Sequence, residues 1–136
     1  MARIARNLPT PGRRRLRDSA DAVALFGREL ASRAEEALRV AHLDGDGWVL
    51  GVTAADGGRS EVDLPIARIV RDAIALGARG LVIAHNHPGG DPSPSRADKA
   101  ATRRLADIAR GLDIRLIDHL VFAGDRFMSF RLLGLL

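Results

Sequence analysis

The six residues "GLVIAH" (80–85) constrain the fold of this chain more than any other stretch. An uninterrupted apolar run of strand length has no polar face to offer water, so it belongs in a strand covered on both sides. Such a strand needs helices packed above and below it, and the flanking sequence supplies them. Residues 18–37 read as a helix capped by Asp18 or Ser19, with Val23, Phe26 and Leu30 as its apolar stripe. Pro65 opens a second helix, in which Ile66, Ile69, Val70, Ala73 and Ile74 recur at helical spacing until Gly77. Residues 95–112 read as a third, with Ala101, Leu105, Ile108 and Leu112 facing inward. The stretches "EALRVAHLD" and "WVLGVTAA" read as strands joined at "DGDG", with Trp48 in the core. A short strand is expected near residues 60–63, and "DIRLIDHLVFAG" with "RFMSFRLL" reads as a closing hairpin. Helices alternating with strands make a layered α/β fold, α-β-α, with one mixed sheet.

The length of 136 residues suits one domain with a modest core. The absence of cysteine excludes disulfides, thiolate nucleophiles and thiolate metal ligands. There is no apolar run of membrane-spanning length and no secretory signal pattern, so a cytoplasmic protein without a membrane partner is expected. Charge is unevenly placed. Residues 1–17 hold six arginines and no acid, which leaves 15 basic and 17 acidic residues in the remainder of the chain. This predicts a basic, flexible tail over residues 1–18 outside a domain over residues 19–136. Such a tail can grip nucleic acid or another acidic partner, although charge runs are more often simply solvated. One tryptophan and no tyrosine argue against a base-stacking surface. The oligomeric state is open, a homodimer included.

Directly after the apolar run comes "HNHPGGDPSPSRAD" (85–98). Side chains two apart on a strand share a face, so His85 and His87 present two imidazoles together while Asn86 points the other way to serve a loop or the opposite face. Strand ends in α/β sheets are where sites gather. Two neutral imidazoles suit zinc, and with no thiol in the chain a third ligand has to be a carboxylate. Asp91 in the loop and Asp98 in the first turn of the next helix are the candidates, and the helix holds Asp98 more rigidly. Pro88, Pro92 and Pro94 stiffen the connection. Two histidines and one aspartate leave an open coordination position, the mark of catalytic zinc. The plain alternatives are that Ser95 and Asp98 form a capping box, that Ser93-Pro94 caps the helix, and that Asp91-Pro92 is turn chemistry.

His85-x-His87, seven residues, Ser95, two residues, Asp98 resembles the JAMM (MPN+ or JAB) zinc metalloprotease motif. The wording of this segment, with the later "IRLIDHLVFAG", is most similar to the RadC-type branch, over about residues 19–136. The resemblance implies a JAB/MPN fold with a layout like that of cytidine deaminases. It implies one zinc per chain held by His85, His87 and Asp98, and Ser95 steadying the oxyanion. It also implies a glutamate at the start of the strand after the first helix as general base, which selects Glu36 over its neighbour Glu35. The implied activity is hydrolysis of a peptide or isopeptide bond in a peptide or protein substrate by zinc-activated water. The alternative reading is a DNA-repair-associated or nucleic-acid-binding factor. Departures are Leu64-Pro65 where relatives have His-Pro, Gly89 where they often have serine, and no helix-hairpin-helix region ahead of the domain. His119 in "DHLVFAG" resembles another family motif and reads as core or as an outer partner of the metal, the former favoured; His42 reads as no ligand. A zinc deaminase needs two cysteines in Pro-Cys-x-x-Cys and is excluded.

Overall fold

The computed structural model describes residues 3–5, 14–57 and 64–136. Its elements are β1 (Arg3–Ala5), α1 (Ser19–Ala31), β2 (Ala37–Leu43), β3 (Val49–Asp56), α2 (Ile66–Leu76), β4 (Gly80–Asn86), α3 (Arg96–Arg110), β5 (Arg115–Ala123) and β6 (Arg126–Ser129). The strands form one mixed sheet in the order β1-β3-β2-β4-β5-β6, in which β4 and β5 run parallel and the other neighbours antiparallel. All seven residues of β4 are buried, as its apolar run requires. The fold is the expected α/β domain.

Each face of the sheet has its own core. Ala22, Phe26 and Leu30 of α1 pack with Ala41, Val82, Ala84, Leu120 and Phe122 on one side. On the other, Ile69 and Ala73 of α2 and Leu105 and Ala109 of α3 pack with Leu38, Val40, Leu81, Ile83 and Leu116. The α1 cap is Asp18, whose carboxylate accepts the Asp21 N–H at 2.9 Å. The helix stops at Ala31, short of the expected residue 37, because Ala37 starts a fully buried strand that pairs on both edges. The expected strand near residues 60–63 lies outside the described residues.

Two expectations are corrected. The buried face of α3 is Asp98, Thr102, Leu105 and Ala109, while Ile108 and Leu112 are exposed. The closing strand ends at Ser129, because the Asp118 carboxylate takes both the Ser129 hydroxyl at 2.6 Å and the Arg131 N–H at 3.0 Å and turns the chain off the sheet. Most of the basic stretch expected as a tail over residues 1–18 lies outside the described residues, and its described part meets the sheet in two places. Arg3–Ala5 pair with β3, and Leu16 is buried, donating its N–H to the Gly47 carbonyl at 2.8 Å, while the Val49 N–H bonds Arg14 at 2.8 Å. A Cβ on Gly47 would stand 2.8 Å from the Leu16 carbonyl oxygen, so the glycine, at φ +90°, is what lets that segment lie on the hairpin. Trp48 is only half-buried there, with the Arg15 guanidinium 5.6 Å from its ring centre.

Candidate metal centre

The site forms where β4 leaves the sheet, on the α3 side. His85 is 1% exposed and His87 half-buried. Their Nε2 atoms are 3.0 Å apart, and Asp98 places Oδ2 at 3.2 Å from His87 Nε2 and Oδ1 at 3.6 Å from His85 Nε2. One ligand atom from each of the three residues lies within 4.8 Å of the other two. Asp98 is therefore the carboxylate that joins the histidines. Asp91 does not: its carboxylate accepts the Ser93 N–H at 2.9 Å, and its backbone carbonyl faces His87 Nδ1 at 2.8 Å.

The surrounding bonds fit this donor set to a metal. A carbonyl only accepts, so His87 must carry its proton on Nδ1, and its neutral ring then turns a bare Nε2 to the centre. His85 Nδ1 lies 2.7 Å from His119 Nε2, and His119 Nδ1 lies 2.8 Å from Thr102 Oγ1. With His85 donating to His119 and His119 donating to Thr102, a bare Nε2 on His85 also faces the centre. Two lone pairs and a carboxylate so arranged repel one another unless a cation joins them. Without a cation, a proton held at the cluster takes its place: burial opposes the Asp98 charge, but hydrogen bonds with His85 and His87 in that protonated state, and from the Ser95 N–H, outweigh it and hold the carboxyl well below the usual range. The bond to Asp98 in turn raises the His87 pKa against the effect of burial.

His119 is thus more than a core residue. It is buried and stacked on Phe130 at 4.5 Å, its pKa driven well below the ordinary value first by burial, and it orients a ligand ring. The expectation favoured the core over an outer partner of a metal; the structure shows it buried in the core and bonded to His85. His42 ligates nothing here. It is buried on the far part of β2 and bonds Thr53 Oγ1 at 2.7 Å, and Thr53 donates to Asp72 at 2.6 Å.

Glu36 comes to the site through strand register. In the antiparallel pairing of β2 and β4, Leu38 stands opposite His85, and continuing the register by two residues sets Glu36 opposite His87, on the same face. Glu36 is 8% exposed, and its charge contributes to the raised His87 pKa. Glu35 is exposed. Asn86 anchors this loop from the opposite face of β4: its Oδ1 accepts the Ala37 N–H at 2.7 Å, and its Nδ2 donates to the carbonyls of Glu35 at 3.0 Å and Arg33 at 3.3 Å. Sequence reasoning assigned Asn86 to a loop but missed which one; its place between the two histidines was the available signal. Ser95 caps α3, its Oγ accepting the Asp98 N–H at 2.9 Å while Asp98 Oδ2 accepts the Ser95 N–H at 2.8 Å. The capping box is therefore real and coexists with the cluster of His85, His87 and Asp98.

Comparison with known proteins agrees with this geometry. The family model described as "RadC-like JAB domain" matches residues 16–135. A UPF0758 protein of Roseiflexus castenholzii is 36% identical over 121 residues, covering 88% of this chain and 52% of that protein. UPF0758 protein XAC3915 of Xanthomonas axonopodis is 37% identical over 106 residues, covering 77% of this chain and 47% of that protein. UPF0758 protein YkfG of Escherichia coli K12 is 34% identical over 108 residues, covering 79% and 68%. The chain spans about half the length of most of these relatives. With the family model covering nearly all of the described domain, this chain belongs to the RadC-like JAB domain family.

Proposed function

We propose that this domain is a zinc-dependent hydrolase of peptide or isopeptide bonds. The observation that carries the reading is the convergence of His85, His87 and Asp98 donor atoms within 4.8 Å, on the face that also bears the buried Glu36 carboxylate. A zinc ion held by those three residues supplies Lewis acidity, polarising a carbonyl and acidifying water. Glu36 takes the proton from the attacking water and returns it to the leaving amine. The Ser95 hydroxyl accepts the Asp98 N–H through a lone pair, so its own proton remains to be donated to the oxyanion. His119 and the Asp91 carbonyl hold the ligand rings in their binding tautomers.

The test is elemental analysis of the purified chain beside turnover of fluorogenic peptide and isopeptide substrates. Near-stoichiometric zinc is expected in both wild type and Glu36→Gln, with turnover in the variant down by about 10²–10⁴-fold. Zinc-free protein after reconstitution, or undiminished turnover by Glu36→Gln, overturns the reading.

A second reading, nucleic-acid binding, draws support from the exposed Arg14, Arg15 and Arg17 beside the arginines of residues 1–13. It predicts DNA affinity that falls steeply with salt, by roughly one power of salt per phosphate contacted. Deleting residues 1–13 should remove that affinity and leave the buried Leu16 in place. Binding that is indifferent to salt or to the deletion counts against it.

No helix among the described residues is long and apolar enough to cross a membrane.

A further inference from the structure

One cavity among the described residues lies away from the His85, His87 and Asp98 cluster. It is a groove of about 780 Å³ between the second half of α3, the beginning of β5 and the C-terminal turn. Gly80 pairs with Arg115 at this end of the parallel strands, whereas His85 pairs with Val121 at the other. Five residues at about 3.3 Å each separate the two ends by roughly 17 Å. The groove therefore has its own chemistry.

Its floor is apolar, made by Ile114, Leu116, Ile117 and Leu135. Its rim carries Arg103, Arg110, Arg115 and Arg131 against Asp107 and Asp113. Asp107 is paired with Arg110 at 2.7 Å, the one carboxylate–arginine pair of the rim among the described residues. A net positive rim is a local concentration of charge, since the chain beyond residue 17 carries more acids than bases. Exposed apolar side chains gather on the same segments: Ile108 and Leu112 at the end of α3, and Leu132, Leu133 and Leu136 in the C-terminal turn. An apolar floor inside a charged rim is the anatomy of a protein-binding patch.

The sheet is open here as well. β6 pairs with β5 only from Leu120 to Ala123, so Arg115–Asp118 has no strand on its outer side among the described residues. A second cavity, of about 250 Å³, borders the same edge from the α1 side and shares Ile117 and Arg131 with the groove. A register shift after Leu81 leaves Ile117 unmatched on β4, a bulge that limits main-chain pairing to a residue or two. Affinity must then come mostly from side chains.

We infer that this groove docks an acidic polypeptide segment carrying large apolar side chains, as an anchoring surface separate from the metal centre. The charge selects this occupant. A second copy of the chain would bring the same arginines face to face across a two-fold axis. Nucleic acid would meet an aliphatic floor with no aromatic ring for stacking. A lipid surface would meet a recess rather than a protruding apolar face. An extended segment with alternating acidic and apolar residues satisfies rim and floor together.

The test is selection of random 12-residue displayed peptides on the full chain, followed by anisotropy titration of the best labelled peptide. Enriched sequences are expected to be acidic with interspersed Leu, Ile, Val or Phe. Affinity should fall about tenfold or more in the double variant Arg115→Glu/Arg131→Glu and fall with rising salt. Leu136→Asp, at the exposed end of the chain, should weaken binding with no change in thermal unfolding. Four results overturn the inference: non-acidic winners, affinity unchanged in the double variant, stronger binding of phosphatidylglycerol vesicles than of peptide, or an Arg115-dependent dimer in sedimentation. None of these readouts depends on zinc or turnover, so failure here and failure of the hydrolase reading are separately visible.

Discussion

Asp98→Ala should abolish the zinc response of this protein while leaving it folded. The side chain does two jobs with one carboxylate. Oδ1 and Oδ2 face His85 and His87, and Oδ2 also accepts the Ser95 N–H at the start of α3. Loss of an outer partner of a metal ligand costs about 10–100-fold in affinity, and loss of the ligand itself should cost more than about a hundredfold. Loss of half the capping box costs only about 1 kcal/mol, offset in part because a buried carboxylate no longer has to be desolvated. Thermal unfolding with and without zinc separates the two. Saturating zinc at about 1,000 times its Kd adds about 4 kcal/mol to wild type. The variant should unfold slightly earlier and gain nothing from the same zinc. Ser95→Ala should show the opposite pattern, a small loss of stability with the zinc response kept. An undiminished zinc response in Asp98→Ala would transfer the ligand role to another group.

Acidification should destabilise the metal-free domain well before its carboxylates titrate. His42 is fully buried, and burial, partly countered by the Asp72 charge, lowers its pKa from 6.5 to about 4. Between those values the unfolded chain binds a proton that the native state refuses, so stability falls as pH falls. The depression of about 2.5 units amounts to about 3 kcal/mol lost from pH 6.5 to 4. His119, also held neutral by burial, adds in the same direction. His87 does not oppose this. Its pKa is raised, so its contribution is complete below pH 6.5 and fades only as pH rises through the folded value. Asp98 acts lower still, its stabilisation being lost as pH drops below the ordinary carboxylate pKa. Because Thr53 gives its only hydroxyl proton to Asp72, its oxygen must accept from His42 Nε2–H. His42→Gln places an amide N–H at that position and cannot protonate. Urea midpoints measured from pH 7 to 4 should fall markedly less in the variant than in wild type. Equal slopes would assign the acid sensitivity elsewhere.

Much of this architecture could be read from the chain, and the misreadings share a cause. The apolar run of β4, the helix stripe of α1 and the His-x-His spacing are local signals, and each is realised; the α2 stripe holds at Ile69 and Ala73 but leaves Ile74 exposed. The phase of α3 was misread because Asp98 and Thr102 are polar yet buried, drawn inward by the two histidines and by His119. A periodicity count that scores them as exposed rotates the helix toward Ile108 and Leu112. The burial of Leu16 was not legible because this one apolar residue among arginines is seated by Gly47, thirty-one positions later. Glu36 was preferred to Glu35 only through a resemblance, because its nearness to His87 follows from extending the β2–β4 register, a long-range relation that no local pattern contains.

The Asn86 clasp has a practical consequence. Three successive residues on one strand end determine both halves of the site: the outer two supply imidazoles to one face, and the middle one fastens the Glu36 loop on the other. The two imidazoles and the Glu36 carboxylate are thereby surveyed from a single benchmark. Lengthening the connection between Ala31 and Arg33 should leave their separation unchanged, because it lies upstream of the clasp at Arg33, Glu35 and Ala37. Anyone transplanting this site to another scaffold must carry the strand end and the clasped loop together; the histidines alone would arrive without their carboxylate at the right height.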